Sequence, residues 1–327
     1  MEVGVILGPR VSTPEHIALS ESLGYGRAWV FDSPALFADP WMTLARAADC
    51  TERIRLGVSV ITPRMRHLIA NASAAATLAA LAPGRVDVVI GAGFTSQAML
   101  QKPPARWAEV EEYAEGLRRL LLGEEIDWDG GVTALRPGRL TEVRLPVDVP
   151  IWVAAHGPKG FDVAGRVADG VITNPGHGAI EMASGTGRVY AQFNATIVGP
   201  EESLESDRVV EAGGPPAALH LHLGDGGAAR GTPEAEEYHR RLQEVDPRLR
   251  HIEMHRGHLA EVTDLERDLI TPQLLASTTS TGRPEEVRAS HDALIEEGFD
   301  GILYAPMGPD IPGELTKMAE LLELPRE

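Results

Sequence analysis

Residues 150–173 read PIWVAAHGPKGFDVAGRVADGVIT. An apolar run, Pro150-Ile151-Trp152-Val153-Ala154-Ala155, gives way to the small polar turn His156-Gly157-Pro158-Lys159-Gly160. A helical stretch from Phe161 to Ala168 then leads to a second short strand, Gly170-Val171-Ile172-Thr173. Strand, glycine turn, helix, strand is the signature of a parallel crossover unit.

The same alternation extends in both directions. Upstream, strands are expected at Val3–Leu7, Ala28–Phe31, Ile54–Ile61 and Val86–Ile90, and downstream at Arg188–Val198 and Gly301–Tyr304. Helices are expected from Thr13 to Gly24, from Pro40, over His67–Leu81, Ala105–Leu122 and Pro284–Glu297, and from Glu314 to Leu322. Thr13 before Pro14 and Glu15 is an N-cap, first-position proline and first-turn acid in the expected order. Eight strands, nearly all followed by a helix, fit a single closed (β/α)8 TIM barrel better than an open sheet. The chain has 327 residues, so residues 1–327 are read as one barrel domain with insertions. A hairpin is expected near 127–146, from Gly130-Gly131, Pro137-Gly138 and the alternating Leu140, Val143 and Leu145. The stretch near 199–271 is read as a variable, substrate-side insertion. Its Gly213-Gly214-Pro215-Pro216 run suggests loops between a helix near Ser206–Glu211 and another near Ala217, and two or three helical pieces follow to Leu275.

Composition narrows the partners. The formal net charge is −18, and such a chain repels nucleic-acid phosphates and anionic lipid. No apolar run reaches bilayer length, and no basic-then-apolar leader opens the sequence, so a cytoplasmic protein is expected. Cys50 is the single cysteine and sits in an apolar helical pattern, which reads as a small buried residue.

In a barrel of this kind, chemistry is sought in the loops after each strand. Asp32, after the second strand, can accept a hydrogen bond from a polar ring or position a proton; as a turn residue it needs no function. Ser59-Val60-Ile61-Thr62-Pro63 runs β-branched residues into an extended pre-proline segment. Arg64, Arg66 and His67 follow and could bind an anion or form an exposed basic turn. Gly91-Ala92-Gly93 lets backbone approach a planar ring or a phosphate, but lacks the third glycine and the acid of a dinucleotide fingerprint. His156-Gly157-Pro158-Lys159-Gly160 opens a helix, where free N–H groups and the dipole favour an anion. An ordinary strand-to-helix turn reads the same way. Thr173-Asn174-Pro175-Gly176-His177 could complete that site. His251, His255 and His258 would share one helical face, but their spacing matches no zinc pattern, so no metal is expected. His220 and His222 show no evident partner.

Taken in order and at barrel spacing, several stretches resemble the luciferase-like superfamily of flavin- and deazaflavin-dependent oxidoreductases. They are Glu21-Ser22-Leu23-Gly24-Tyr25, Trp29-Val30-Phe31-Asp32, Thr51-Glu52-Arg53-Ile54-Arg55-Leu56-Gly57, Gly91-Ala92-Gly93, Ala154 to Lys159, Ala168-Asp169-Gly170, Gly282 to Val287 and Gly298-Phe299-Asp300. The resemblance runs from Met1 to about Asn174 and returns at Thr281 to Pro306. It implies Asp32 near a cofactor ring, and Ser59 and Val60 as a bulge behind it, often with a cis peptide bond in deazaflavin members. Thr62 lies in the same loop. Gly91 and Gly93 would flank the ring, and Ala155, His156, Gly157, Pro158 and Lys159 would hold a phosphate with Thr173, Asn174 and Gly176. Where many deazaflavin members carry a histidine or glutamine after the strand-two acid, this chain has Ser33, so position does not assign the proton donor. His177, His67 and the His255/His258 face are the candidates, and His177 is set beside Asp32 as the catalytic pair. The reading that follows is a cytoplasmic, homodimeric oxidoreductase moving a hydride between reduced coenzyme F420 and a small organic substrate. A monooxygenase using reduced FMN and oxygen, and a barrel that binds ligand without redox turnover, are the alternatives.

Overall fold

In the computed structural model, residues 1–176, 178–223 and 227–325 are described. Eight parallel strands close into a barrel. In chain order its first half is β1 (Glu2–Leu7), α1 (Thr13–Ser22), β2 (Arg27–Val30), α2 (Pro40–Asp49), β3 (Arg55–Ile61), α3 (Leu68–Leu81) and β4 (Val86–Ile90). A short helix α4 (Phe94–Ala98) and the long α5 (Trp107–Leu121) follow, then a separate antiparallel hairpin of β5 (Glu125–Trp128) and β6 (Gly131–Ala134). The second half runs β7 (Ile151–Ala154), α6 (Pro158–Val167), β8 (Gly170–Thr173), α7 (Ala179–Met182) and β9 (Arg188–Phe193). Helices α8 (Asp207–His222), α9 (Pro233–Glu244), α10 (Arg250–Glu253) and α11 (Pro272–Thr278) intervene before α12 (Pro284–Glu297), β10 (Gly301–Tyr304) and α13 (Ile311–Leu321). Around the barrel the order is β1, β10, β9, β8, β7, β4, β3, β2.

The barrel interior is filled. Alternate residues of each strand point inward. Trp29, Trp152 and Tyr190 meet edge-on there, with Trp152 centred 5.2 Å from Trp29 and 5.0 Å from Tyr190. Glycines opposite them make the room: a Cβ on Gly57 would lie 2.4 Å from Trp29 Cδ1, and one on Gly170 would lie 2.5 Å from Trp152 Cζ3. At the amino-terminal end, fully buried Arg27 donates to Glu2 and to buried Asp87, which also accepts from Arg55 and Trp29 Nε1. The Arg27 guanidinium carbon stands 4.7 Å from the Tyr190 ring centre and 5.0 Å from that of Trp152. An ionic knot under an aromatic layer therefore plugs this end.

Four expectations need correction. The hairpin closes at Ala134; Arg139–Thr141 forms a 3-10 turn, and exposed Leu140 pairs with no strand. Gly213-Gly214-Pro215-Pro216 is not a loop but the middle of one continuous helix, α8. Proline has a helical φ but loses its N–H and crowds the carbonyl four residues back, so the helix persists through packing: the glycines permit close approach, and a Cβ on Gly214 would lie 2.6 Å from Val262. Cys50 is exposed, because it falls just past the last turn of α2 rather than on its apolar face. Strand β9 stops at Phe193, and past it only an isolated bridge joins Ile197 to Gly282. No helix among the described residues is long and apolar enough to cross a membrane.

Candidate cofactor site at the strand carboxyl ends

The strand-end residues read from sequence gather at one mouth of the barrel, in two groups. The first group lies after β2, β3 and β4. The Ser59–Val60 peptide is cis, and the β3–β4 register slips between Ser59 and Ile61. Gly91 is fitted to this bulge, since a Cβ there would lie 3.1 Å from Val60 Cγ2. Gly93 has φ +76°, a conformation glycine adopts without strain, and a Cβ on it would meet Thr62 Cγ2 at 2.4 Å. Ser59 and Thr62 are themselves buried, so they shape the platform from beneath, while Val60 is half-buried. Buried Ser96 Oγ and Gln97 Oε1 have no protein partner, and Gln97 Nε2 reaches Thr62 Oγ1 at 3.5 Å.

Asp32 is 4% exposed and accepts two bonds from Arg66, at 3.1 Å from Nε and 3.2 Å from Nη2. Arg66 also donates to Asp39, the N-cap of α2, at 2.8 Å. Arg64 is paired with Glu109, and His67 caps α3 and lies 3.1 Å from Asp129 at the hairpin tip. The basic turn Arg64-Arg66-His67 is thus engaged with the chain's own carboxylates, which favours the surface-turn alternative over anion binding. Glu109 is held down to about 2, chiefly by its hydrogen bonds from Arg64. Burial pushes the Tyr113 phenol, hydrogen-bonded to Asn71, up to about 12.

The second group lies after β7 and β8. Ala155 is buried, and His156, Pro158 and Lys159 are exposed. Gly157 is the N-cap of α6 with φ −165°, and a Cβ there would meet nothing within 4 Å. The helix therefore opens onto free space. His156 Nδ1 accepts from Asn174 N at 3.3 Å, tying the two loops together. Thr173 is buried with its hydroxyl turned to Asn174 O, and Gly176 has φ +88°. His177 lies outside the described residues.

A third cluster joins two histidines paired in the sequence reading, His255 and His258, to His222, which showed no partner there. His222, at the end of α8, lies 2.5 Å through Nε2 from Glu266 Oε1 and 3.2 Å through Nδ1 from His258 Nδ1. His255 joins them, and one ring nitrogen of each histidine lies within 4.8 Å of the others. His251 does not belong; it pairs with Gln101. His258 Nε2 meets Thr95 Oγ1, just after β4, at 3.2 Å. Leu259, next in the chain, packs against the barrel-core cluster of Trp29, Trp152 and Tyr190, as Phe31, Val60 and Ala154 also do. The turn 255–259 therefore lies over the barrel mouth at the β4 end. Burial pulls His255 down to about 4, helped by its histidine neighbours, and pulls His258 down likewise.

Comparison with known proteins agrees with this architecture. The luciferase-like monooxygenase family model matches residues 9–301. The chain is 37% identical over 180 residues to the F420-dependent glucose-6-phosphate dehydrogenase of Beutenbergia cavernae, covering 50% of this chain and 52% of that protein. It is 30% identical over 173 residues to the 5,10-methylenetetrahydromethanopterin reductase of Methanolobus tindarius, covering 52% of each. The chain thus spans about half the length of these curated relatives. Among solved structures, the coenzyme F420-dependent tetrahydromethanopterin reductase from Methanopyrus kandleri superposes with a TM-score of 0.72 at 19% identity, over 99% of both chains. An F420-dependent secondary alcohol dehydrogenase in complex with an F420–acetone adduct gives 0.65 at 16%, over 100% of this chain and 99% of that one. At those identities the structural likeness speaks for the fold.

Proposed function

The chain belongs to the luciferase-like monooxygenase family, and on that premise we propose that it is an oxidoreductase that uses coenzyme F420 to move a hydride to or from a small organic substrate. The observation that carries this reading is the convergence, at one barrel mouth, of a backed platform and an open helix N-terminus. Val60, supported by Gly91, offers an apolar surface for a planar ring. The first turn of α6 offers N–H groups and a positive dipole end to a phosphate, with Lys159 alongside. The vacant space at the Gly157 Cβ position fits such a group.

When bound, the deazaflavin supplies or accepts the hydride; the chemistry is the cofactor's and the protein contributes position and surroundings. The backbone N–H groups of Gly157 and Lys159 and the Lys159 ammonium would hold the phosphate, Pro158 would fix the first turn of α6, and His156 and Asn174 hold the two loops in register. Ser59, Thr62 and Gly93 set the height of the platform. Asp32, clamped by Arg66, orients the polar edge of the ring. His177 moves the proton that accompanies the hydride. The turn at 255–259 excludes water from above the platform. A cytoplasmic location and a homodimer belong to the same proposal on the family resemblance, and sedimentation of the purified protein tests the second.

Fluorescence titration of purified protein with F420 and with FMN tests the reading. Tighter binding of F420 is expected. Failure to bind either overturns it, and tighter binding of FMN moves the protein to the monooxygenase reading. His177→Asn should lower turnover while leaving cofactor affinity unchanged.

A further inference from the structure

The cofactor reading gives the 255–259 turn a covering role but leaves the imidazoles of the histidine cluster above the barrel mouth without a task. Its three rings come from two separated pieces of chain: His222 from the end of α8, His255 and His258 from the turn after α10. All three residues are buried, at 7%, 1% and 5% exposure. Buried imidazoles are expected to have partners on both ring nitrogens that are shielded from water. The His222–His258 contact at 3.2 Å can be met by one shared proton. His255 Nδ1 cannot be met that way; it is buried with no hydrogen-bond partner.

The surroundings match a metal centre. A histidine ligand nearly always donates its other ring N–H to a carboxylate, carbonyl or water, which fixes the tautomer and aims the free lone pair. Glu266 does this for His222, and is itself fixed by Thr263 N at 3.0 Å and Thr263 Oγ1 at 2.9 Å. Thr95 Oγ1 stands in the same relation to His258 Nε2. With both Nε2 atoms so engaged, the Nδ1 atoms of His222 and His258 face one another. Their 3.2 Å spacing is close to the edge of a tetrahedron whose corners lie about 2.0–2.1 Å from its centre, the zinc–imidazole distance. Three neutral imidazoles with no thiolate suit Zn²⁺, and also Co²⁺, Ni²⁺ or Cu²⁺, rather than Mg²⁺ or Ca²⁺.

We propose that His222, His255 and His258 form a binding site for one divalent transition-metal ion of the Zn²⁺ class, with Glu266 as the outer carboxylate. The ion joins α8 to the 255–259 turn and so fixes the segment that meets Thr95 after β4 and packs on the barrel core. The site is independent of the F420 reading, and its test uses neither cofactor nor turnover.

Tag-free full-length protein is stripped with a chelator, dialysed, and titrated with Zn²⁺ and separately with Co²⁺. One equivalent of Zn²⁺ per chain should survive gel filtration, measured by atomic emission. Co²⁺ should give the intense visible absorption of a tetrahedral nitrogen site, displaced by Zn²⁺. Saturating Zn²⁺ should raise the melting temperature by roughly 5 °C or more. His255→Ala should abolish the Co²⁺ spectrum, and Glu266→Gln should weaken affinity about 10- to 100-fold with the stoichiometry retained. The idea is overturned if the unaltered protein takes up neither ion at micromolar concentration. It is equally overturned if His255→Ala, folded by circular dichroism, gives the same spectrum as the parent.

Discussion

Replacing Gly157 by aspartate should move stability and cofactor affinity in opposite directions. At 157 the φ of −165° is open to any residue and a Cβ meets nothing within 4 Å, so the fold gains no strain. Aspartate is a better N-cap than glycine by a few tenths of a kcal/mol, and its charge at the helix N-terminus adds about 0.3–1 kcal/mol. The variant should therefore melt at the parent temperature or roughly 1–3 °C above it. Affinity should fall for the same reason. The new carboxylate occupies the N–H groups assigned to the phosphate and repels it. At about 4 Å, one pair of unit charges costs about 1 kcal/mol in water-like surroundings and more where the site is shielded. Because His156, Pro158 and Lys159 are exposed, the lower figure applies. With the lost donors, the Kd for F420 should rise roughly 5- to 30-fold, at about 1.4 kcal/mol per decade. FMN, whose phosphate monoester carries more charge, should lose more; a dephosphorylated deazaflavin should lose almost nothing. Gly157→Asn keeps the cap without the charge and should fall between. Fluorescence titration with the three ligands reads the affinities, and thermal unfolding reads stability. Equal losses for the phosphorylated and dephosphorylated ligands would refute the phosphate assignment, and a melting point several degrees lower would refute the backbone argument.

The barrel and its flanks give further tests. Gly57→Ala places a Cβ 2.4 Å from Trp29 Cδ1 and should destabilise by about 1–3 kcal/mol in urea unfolding, through overpacking. Asp87→Asn removes one of the two carboxylates that face fully buried Arg27, with Glu2 remaining, and should cost about 1.5–3 kcal/mol, above the loss from an exposed pair such as Arg46–Glu15. Hydrogen bonds from Arg208, with help from Gly199 N, hold the Glu202 carboxyl at about 2 against an ordinary 4.5. A depressed carboxyl stabilises the fold above its unfolded pKa, and that contribution fades as pH falls from 4.5 to 2. Glu202→Gln should therefore be less stable than the parent at pH 7, and the gap should close by pH 2; a gap independent of pH would count against the pairing.

The barrel was legible because its signal is local. Val3–Leu7, Val86–Ile90 and Gly170–Thr173 are short apolar runs between turn residues, and the period of the intervening segments is helical. The bulge at Ser59–Val60 was foreseen from family likeness, not from any property of serine or valine. What escaped reading depends on partners far away in sequence. Arg66 looked free because its acceptors, Asp32 and Asp39, lie 34 and 27 residues upstream. His222 looked unpartnered because Glu266 is 44 residues downstream. Gly213-Gly214-Pro215-Pro216 carries every local mark of a loop, and only contact with Thr281 and Val262 explains why it stays helical. The inward alternation Glu2, Arg27, Arg55 and Asp87, one charge near the start of each of four neighbouring strands, was a readable sign of the ionic knot.

That knot has a kinetic corollary. With Arg27, Glu2 and Asp87 beneath Trp29, Trp152 and Tyr190, the barrel is closed from below, and only its carboxyl-end mouth can receive a ligand. Whatever binds at the mouth must arrive and depart on that side. For a ring lying flat on the Val60 platform with a second molecule above it, the lower occupant enters first and leaves last. If the proposed function holds, addition at this mouth would follow a compulsory order, with the upper ligand trapping the lower one for as long as it stays.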